Sequence, residues 1–112
     1  MEIEIMAMTT YKEFEEIVTI VRIGKSYYGF SESTDASTLS KLSIKNDKDL
    51  KRTKRYLGVT EKEIVLPYFN QELFMDMYQQ MQEEQVNTVY REKDEKEWNY
   101  ASIIERRMEI YI

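Results

Sequence analysis

The sequence predicts one α+β domain over residues 1–112, in which an antiparallel sheet of about five or six strands is covered on one face by two helices. Segments of alternating apolar and polar residues lie towards both ends of the chain, and apolar residues at helical spacing lie between them. The composition, 42% hydrophobic and 33% charged with only 3 Gly and 1 Pro, is typical of a globular protein. The 112 residues are enough to bury one core without disulfides.

The first two strands are predicted near the amino terminus. Residues 2–8 alternate in polarity, which is typical of a half-buried strand. Residues 10–23 fit either a helix or a strand, because Thr10 and Glu13 have the spacing of a helix capping box. The β-branched run 17–23 favours extended backbone. We therefore favour a hairpin whose first strand begins near Glu16 and whose turn is formed by Gly24 and Lys25.

The middle of the chain predicts a loop and then a basic helix. Residues 31–43 are rich in Ser and Thr, whose hydroxyls bond nearby backbone in turns, so this segment is predicted to be a mobile loop. A shorter basic helix is predicted over residues 47–57. Two Asp near its start and several Lys and Arg near its end suit the helix dipole, and Gly58 follows where a helix ends.

A second helix is predicted over residues 70–84, with Asn70 as its N-cap. Its apolar residues recur at helical spacing and form one stripe: Phe69, Leu73, Phe74, Met77, Tyr78 and Met81. The last third of the chain returns to strand composition. We expect strands over 85–91 and 98–104, joined by a charged hairpin, and a final strand over 108–112.

Charge is distributed unevenly along the chain. The net charge is −5, from 16 Lys and Arg against 21 Asp and Glu. Residues 41–62 contain eight basic and three acidic side chains, a local balance of +5, so the other 90 residues carry −10. This distribution predicts a basic stripe on an acidic body, and such fields steer encounters with charged partners.

The residue types that the sequence lacks exclude many catalytic mechanisms. The chain has no Cys and no His, which removes cysteine nucleophiles, histidine acid/base pairs, zinc fingers and haem ligation by either residue. The carboxylates of residues 92–97 lack the spacing and the glycine of a calcium-binding loop. We therefore expect a protein that is not an enzyme and that uses no cofactor and no metal.

Targeting signals are also missing from the sequence. No basic and apolar leader, no apolar run of 18 residues and no C-terminal lipidation Cys occurs. We expect a cytoplasmic protein that does not enter a membrane. The alternating strand 108–112 offers an edge for pairing with a second copy, so a homodimer is a further expectation.

The leading functional hypothesis is a small, non-enzymatic inhibitor that acts through contacts with another protein. In its most concrete form it is a phage or mobile-element protein of the anti-defence, anti-CRISPR-like kind, whose acidic surface mimics DNA and binds a host protein that handles nucleic acid. The residues assigned to this surface are those of the acidic hairpin: Glu92, Asp94, Glu95 and Glu97.

The alternative hypothesis is a regulator that binds nucleic acid directly through the basic segment 45–55. Lys and Arg neutralise phosphates, and a run of them on one helix provides a compact cationic surface. The residues assigned to this site are Lys48, Lys51, Arg52, Lys54 and Arg55.

Overall fold

Five strands and two α-helices build the domain in the computed structural model, which describes residues 2–11, 15–59 and 66–93. A single 3₁₀ turn, Leu66–Tyr68, precedes the second helix. The elements in chain order are β1 (Glu4–Tyr11), β2 (Glu16–Ile23), β3 (Ser26–Ser33), β4 (Ala36–Leu42), α1 (Asp47–Leu57), α2 (Gln71–Glu84) and β5 (Thr88–Glu92). The structure thus confirms the predicted α+β class.

The sheet is a meander in which each strand pairs antiparallel with the next, in the order β1-β2-β3-β4-β5. The predicted hairpin is confirmed: β2 begins at Glu16, and Gly24 turns the chain into β3 with φ of 62°. That positive φ is strained for a residue with a Cβ and natural for glycine. The β-branched composition of residues 17–23 therefore decided the secondary structure of this segment.

The loop predicted over residues 31–43 is wrong. Residues 31–33 complete β3, residues 36–42 form β4, and only residues 34 and 35 connect them. The hydroxyl of Ser33 donates to the Ala36 carbonyl (3.0 Å) and accepts from the Ala36 N–H (3.2 Å), which closes the turn. Ser37, Thr38 and Ser40 of β4 pair with β3 and β5, because sheet formation overrides a weak local preference for turns.

The two helices lie on opposite faces of the sheet, whereas the sequence prediction placed both on one face. Helix α2 packs its buried Phe74, Met77 and Met81 against a core that includes Val21 of β2. Helix α1 packs Leu50 against a second core that includes Ile20, the neighbouring residue on β2. Adjacent strand residues point to opposite faces of the sheet. A strand with apolar residues on both faces therefore needs a packed element on each face to bury them.

Both helices begin and end where the sequence indicates. Asn46 caps α1, and Gly58 ends it in the left-handed conformation with φ of 68°. Asn70 caps α2 by accepting a hydrogen bond from the Leu73 N–H (3.1 Å), as predicted. The strand predicted over 85–91 is observed as β5, and the strands predicted over 98–104 and 108–112 lie outside the described residues. Within the described ranges, neither helix has the length and apolar character needed to cross a membrane.

Candidate nucleic-acid interface

Four cationic side chains lie together on the solvent side of α1, and we call this surface the basic face: Lys48, Lys51, Arg52 and Arg55. Their spacing of three and four residues places them on one side of a helix, and all four are exposed. Leu50 and Leu57 point the other way, into the core below α1. The burial of one apolar side of α1 therefore orients its cations outward.

Lys54 does not belong to the basic face, although the sequence assigned it to the site. It follows Leu50 by four residues, which places it towards the buried side of the helix, and it is only partly exposed. Its carbonyl accepts a hydrogen bond from the Val59 N–H (3.0 Å) at the end of α1. The structure thus brings together four of the five basic residues that the sequence proposed.

The charge of the basic face is not compensated by any residue that the structure describes. In the described ranges, no carboxylate lies within ion-pair distance of the four cations. Of the two acidic residues of α1, Asp49 uses its carboxylate to accept from the Lys45 N–H (3.0 Å) near the start of the helix. Both Asp residues occupy the first turn, so positive charge increases towards the carboxyl end of α1.

Arg22 is a cation on the same side of the sheet but adds little to this surface. A hydrogen bond to Tyr27 and the adjacent carboxylate of Glu4 raise the pKa of Arg22 above its usual value. The guanidinium forms an ion pair with Glu4 across the β1-β2 pair. Its charge is therefore neutralised locally, in contrast to the charges of α1.

An exposed aromatic side chain adjoins the basic face. Tyr56 is 87% exposed, and it follows Arg52 by four residues, so the two side chains are neighbours on the helix surface. Tyrosine usually buries its ring, and a ring left in water is available for contact with a flat partner. Sequence reasoning missed Tyr56, and its only signal was an aromatic residue inside a run of charged ones.

The carboxyl end of α1 is fixed to the sheet by Tyr11 of β1. Its hydroxyl donates to the Leu57 carbonyl (2.8 Å) and lies 3.1 Å from the Gly58 carbonyl. The Thr9 hydroxyl also donates to Gly58, at 3.2 Å. These bonds satisfy carbonyls that every helix end leaves unpaired. They hold the charged last turn of α1 at a defined place over β1.

Replacing Gly58 with Ala is expected to destabilise the protein by about 2–3 kcal/mol, because the left-handed backbone is strained and a hydrogen bond is lost. The new Cβ would lie 2.4 Å from the Tyr11 hydroxyl, which must move away from the helix end. Urea denaturation measures the change. The matched control is Gly24→Ala, which has the same positive φ but meets no atom within 4 Å, so it should cost only about 1 kcal/mol. Equal costs for the two variants would contradict the role assigned to Tyr11.

Only Glu92 of the four residues assigned to the acidic hairpin lies in the described part of the chain. Glu92 lies at the end of β5 and is exposed, and Asp94, Glu95 and Glu97 lie outside the described residues. The hairpin therefore stays a prediction. Acidic side chains are also exposed on the solvent side of α2, whose 14 residues include no Lys or Arg. We call this surface the acidic face, and it is formed by Glu72, Asp76, Glu83 and Glu84.

A shallow groove of about 500 Å³ lies on α2 and is lined by Met75, Asp76, Tyr78, Gln79, Gln82 and Glu83. Burial and the neighbouring Tyr28 raise the pKa of Tyr78, so its hydroxyl stays protonated. Arg91 of β5 pairs with Asp76 and also donates to Gln80. Among the described residues, no group of three or more carboxylates is arranged to hold a metal ion.

The fold and these surfaces define an α+β domain in which a five-stranded meander separates a basic helix from an acidic one. The chain matches no family model, and it has no significant similarity to a curated protein or to a solved structure.

Proposed function

We propose that the protein binds nucleic acid through the basic face of α1. The observation that carries this proposal is four exposed cations on one helix side with no carboxylate partner in the described ranges, next to a tyrosine that is 87% exposed. Unpaired cations can exchange their counterions for phosphates, and this release is the main source of non-specific affinity for nucleic acid. The aromatic ring adds a surface on which a base can stack.

The acidic composition of the whole chain does not oppose this function. Each helix packs roughly 10 Å from the sheet, so the two helix axes are about 20 Å apart and the outward basic and acidic faces are farther apart still. The Debye length is about 8 Å at physiological ionic strength, so charges on one side are largely screened from the other. A phosphate that approaches α1 therefore meets mainly the local positive field.

Removing the basic face tests the proposal directly. The variant carries Lys48→Gln, Lys51→Gln, Arg52→Gln and Arg55→Gln, since Gln keeps the helix propensity of Lys and Arg. We expect loss of binding to labelled DNA and RNA in a fluorescence anisotropy titration. For the wild type, four phosphate contacts predict an affinity that falls about 100-fold between 50 and 200 mM salt.

The control for this experiment is Lys25→Gln, which removes one cation from the β2-β3 turn and should leave affinity and salt dependence almost unchanged. Far-ultraviolet circular dichroism checks that every variant is folded. Unchanged binding by the folded four-residue variant, or wild-type affinity that is independent of salt, would contradict the proposal.

A second candidate function is supported by the acidic face of α2. We infer for this candidate a non-enzymatic inhibitor whose carboxylates occupy the basic nucleic-acid channel of another protein, as the phage anti-defence hypothesis requires. Its support is a helix with four acidic and no basic residues, which carries a groove lined by both apolar and acidic side chains. A helix that carries only negative charges favours partners with a positive surface.

The two candidates are separated by a capture experiment in nuclease-treated lysate. The acidic-face variant carries Glu72→Gln, Glu83→Gln and Glu84→Gln. The new Gln side chains at 83 and 84 can still accept the hydrogen bonds that Gln79 and Gln80 donate to these positions. The inhibitor hypothesis predicts a protein partner that is still captured after nuclease treatment. The basic-face variant should retain this partner, and the acidic-face variant should lose it. Partners that disappear with nuclease in every sample argue against it.

A further inference from the structure

Among the described residues, the large exposed aromatic side chains lie on one side of the sheet. In the part of the chain that the structure describes, Tyr56 is 87% exposed and Tyr90 is 59% exposed. On the α2 side, by contrast, aromatic rings pack against one another: Phe30, Phe69, Phe74, Tyr28 and Tyr78. Tyr56 and Tyr90 therefore expose their rings to solvent, whereas the aromatic rings on the α2 side are packed in the core.

The strand register places Tyr90 on the α1 side. Tyr90 pairs with Thr38, which pairs with Ser31, which pairs with Val18. Directly paired residues point to the same face of a sheet, and Val18 belongs to the core beneath α1. Since neighbouring strands are about 4.8 Å apart, Tyr90 lies about 14 Å from Val18 across the sheet. It therefore lies on the part of this face that α1 leaves exposed.

The open part of the face is lined by hydroxyl groups. Ser31, Thr38, Ser40 and Thr88 share the face with Tyr90. The Ser31 hydroxyl donates to the carboxylate of Glu16 on the same face (2.8 Å), and the hydroxyls of Ser40 and Thr88 are 3.3 Å apart, so Thr38, Ser40 and Thr88 are the hydroxyls open to a ligand. Hydroxyls serve as donors to phosphate and sugar oxygens. Glu92 lies two residues after Tyr90 on the same strand and is exposed, so the positive field comes from α1 and decreases towards the end of β5.

We propose that the nucleic acid bound on this side is single-stranded, an inference that rests on the function proposed above. A base can stack on a tyrosine ring only when its face is free, and in a duplex both faces of each base are covered by its neighbours. The basic face supplies phosphate contacts, and Tyr90 supplies a second stacking position on the same side of the sheet. Together they provide cationic and aromatic contacts for a short strand with unpaired bases.

The test compares labelled 12-nucleotide single-stranded DNA, single-stranded RNA and the duplex of the same sequence by fluorescence anisotropy at fixed salt. We expect at least tenfold tighter binding of one or both single strands than of the duplex. Tyr90→Ala should weaken binding of the single strand about tenfold, and Tyr90→Phe should restore it, because stacking needs the ring and not the hydroxyl. The DNA and RNA arms show which sugar is preferred.

The matched control is Val86→Ala, which truncates a side chain that is 39% exposed between α2 and β5 and should leave affinity unchanged. Equal affinity for duplex and single strand, with no effect of Tyr90→Ala, would overturn the single-strand inference and leave the basic-face proposal standing. Absence of binding to all three probes would overturn the proposed function itself. A Tyr90→Phe variant as weak as Tyr90→Ala would contradict stacking as the cause.

Discussion

Replacing Lys93 with Met is expected to lower the free energy of unfolding by about 3–5 kcal/mol, because it leaves the Glu32 carboxylate buried without its cation. The Lys93 Nζ lies 3.7 Å from Oε2 of Glu32, and the two side chains are only 3% and 2% exposed. The amide of Asn70 donates to the same carboxylate oxygen at 3.0 Å, so the carboxylate joins β3, the residue after β5 and the N-cap of α2. A change at Lys93 should therefore also loosen the start of α2.

Urea denaturation of Lys93→Met measures this loss, and the double variant Glu32→Leu with Lys93→Met gives the control. Replacing both partners of a buried ion pair by apolar groups of similar size is often neutral or stabilising. The double variant should therefore recover most of the stability lost in the single one. If Lys93→Met costs less than about 1 kcal/mol, or if the double variant is the least stable, the buried pair does not have the role we assign to it.

Phe74→Ala is the second change with a large expected effect, a loss of about 3–5 kcal/mol of stability. The Phe74 side chain is fully buried, and its ring centroid lies 5.6 Å from that of Phe30 and 5.4 Å from that of Phe69. Removing it leaves a cavity between α2 and the sheet that the rigid strands cannot fill. The loss is a large fraction of the 5–15 kcal/mol by which domains of this size are stable.

Chemical denaturation measures the effect of Phe74→Ala, and Tyr56→Ala is its control, since it truncates an aromatic ring that is 87% exposed on the opposite side. We expect Tyr56→Ala to change stability by less than about 0.5 kcal/mol, as surface substitutions usually do. Similar losses in the two variants would mean that burial on the α2 side does not hold the fold together.

Local sequence patterns predicted the helices well, because their signals lie within the segments themselves. Asn70 and Gly58 have chemistry that suits the ends of helices, and both occupy those positions in the structure. The β-branched run of β2 likewise indicated a strand without any tertiary information. The Ser- and Thr-rich segment 31–43 was misread, because pairing with β3 and β5 outweighs its local preference for turns.

The candidate site was predicted in part. The sequence indicated a basic helix and assigned five cations to one site, whereas Lys54 is only partly exposed and the four other cations face solvent. Tyr90 was invisible as a site residue, because its exposure depends on which part of the face α1 leaves open. The acidic face of α2 was likewise hidden in a helix recognised for its apolar stripe.

By itself, the sequence determined the α+β class, the limits of both helices, the uneven distribution of charge and the absence of Cys and His chemistry. These properties follow from composition and from periodicity within single segments. Only the tertiary structure decided that the helices lie on opposite faces, which separates positive from negative charge and leaves Tyr90 exposed on the α1 side of the sheet. The physical reason is that β2 is apolar on both faces, and each face excludes water only when its own helix covers it.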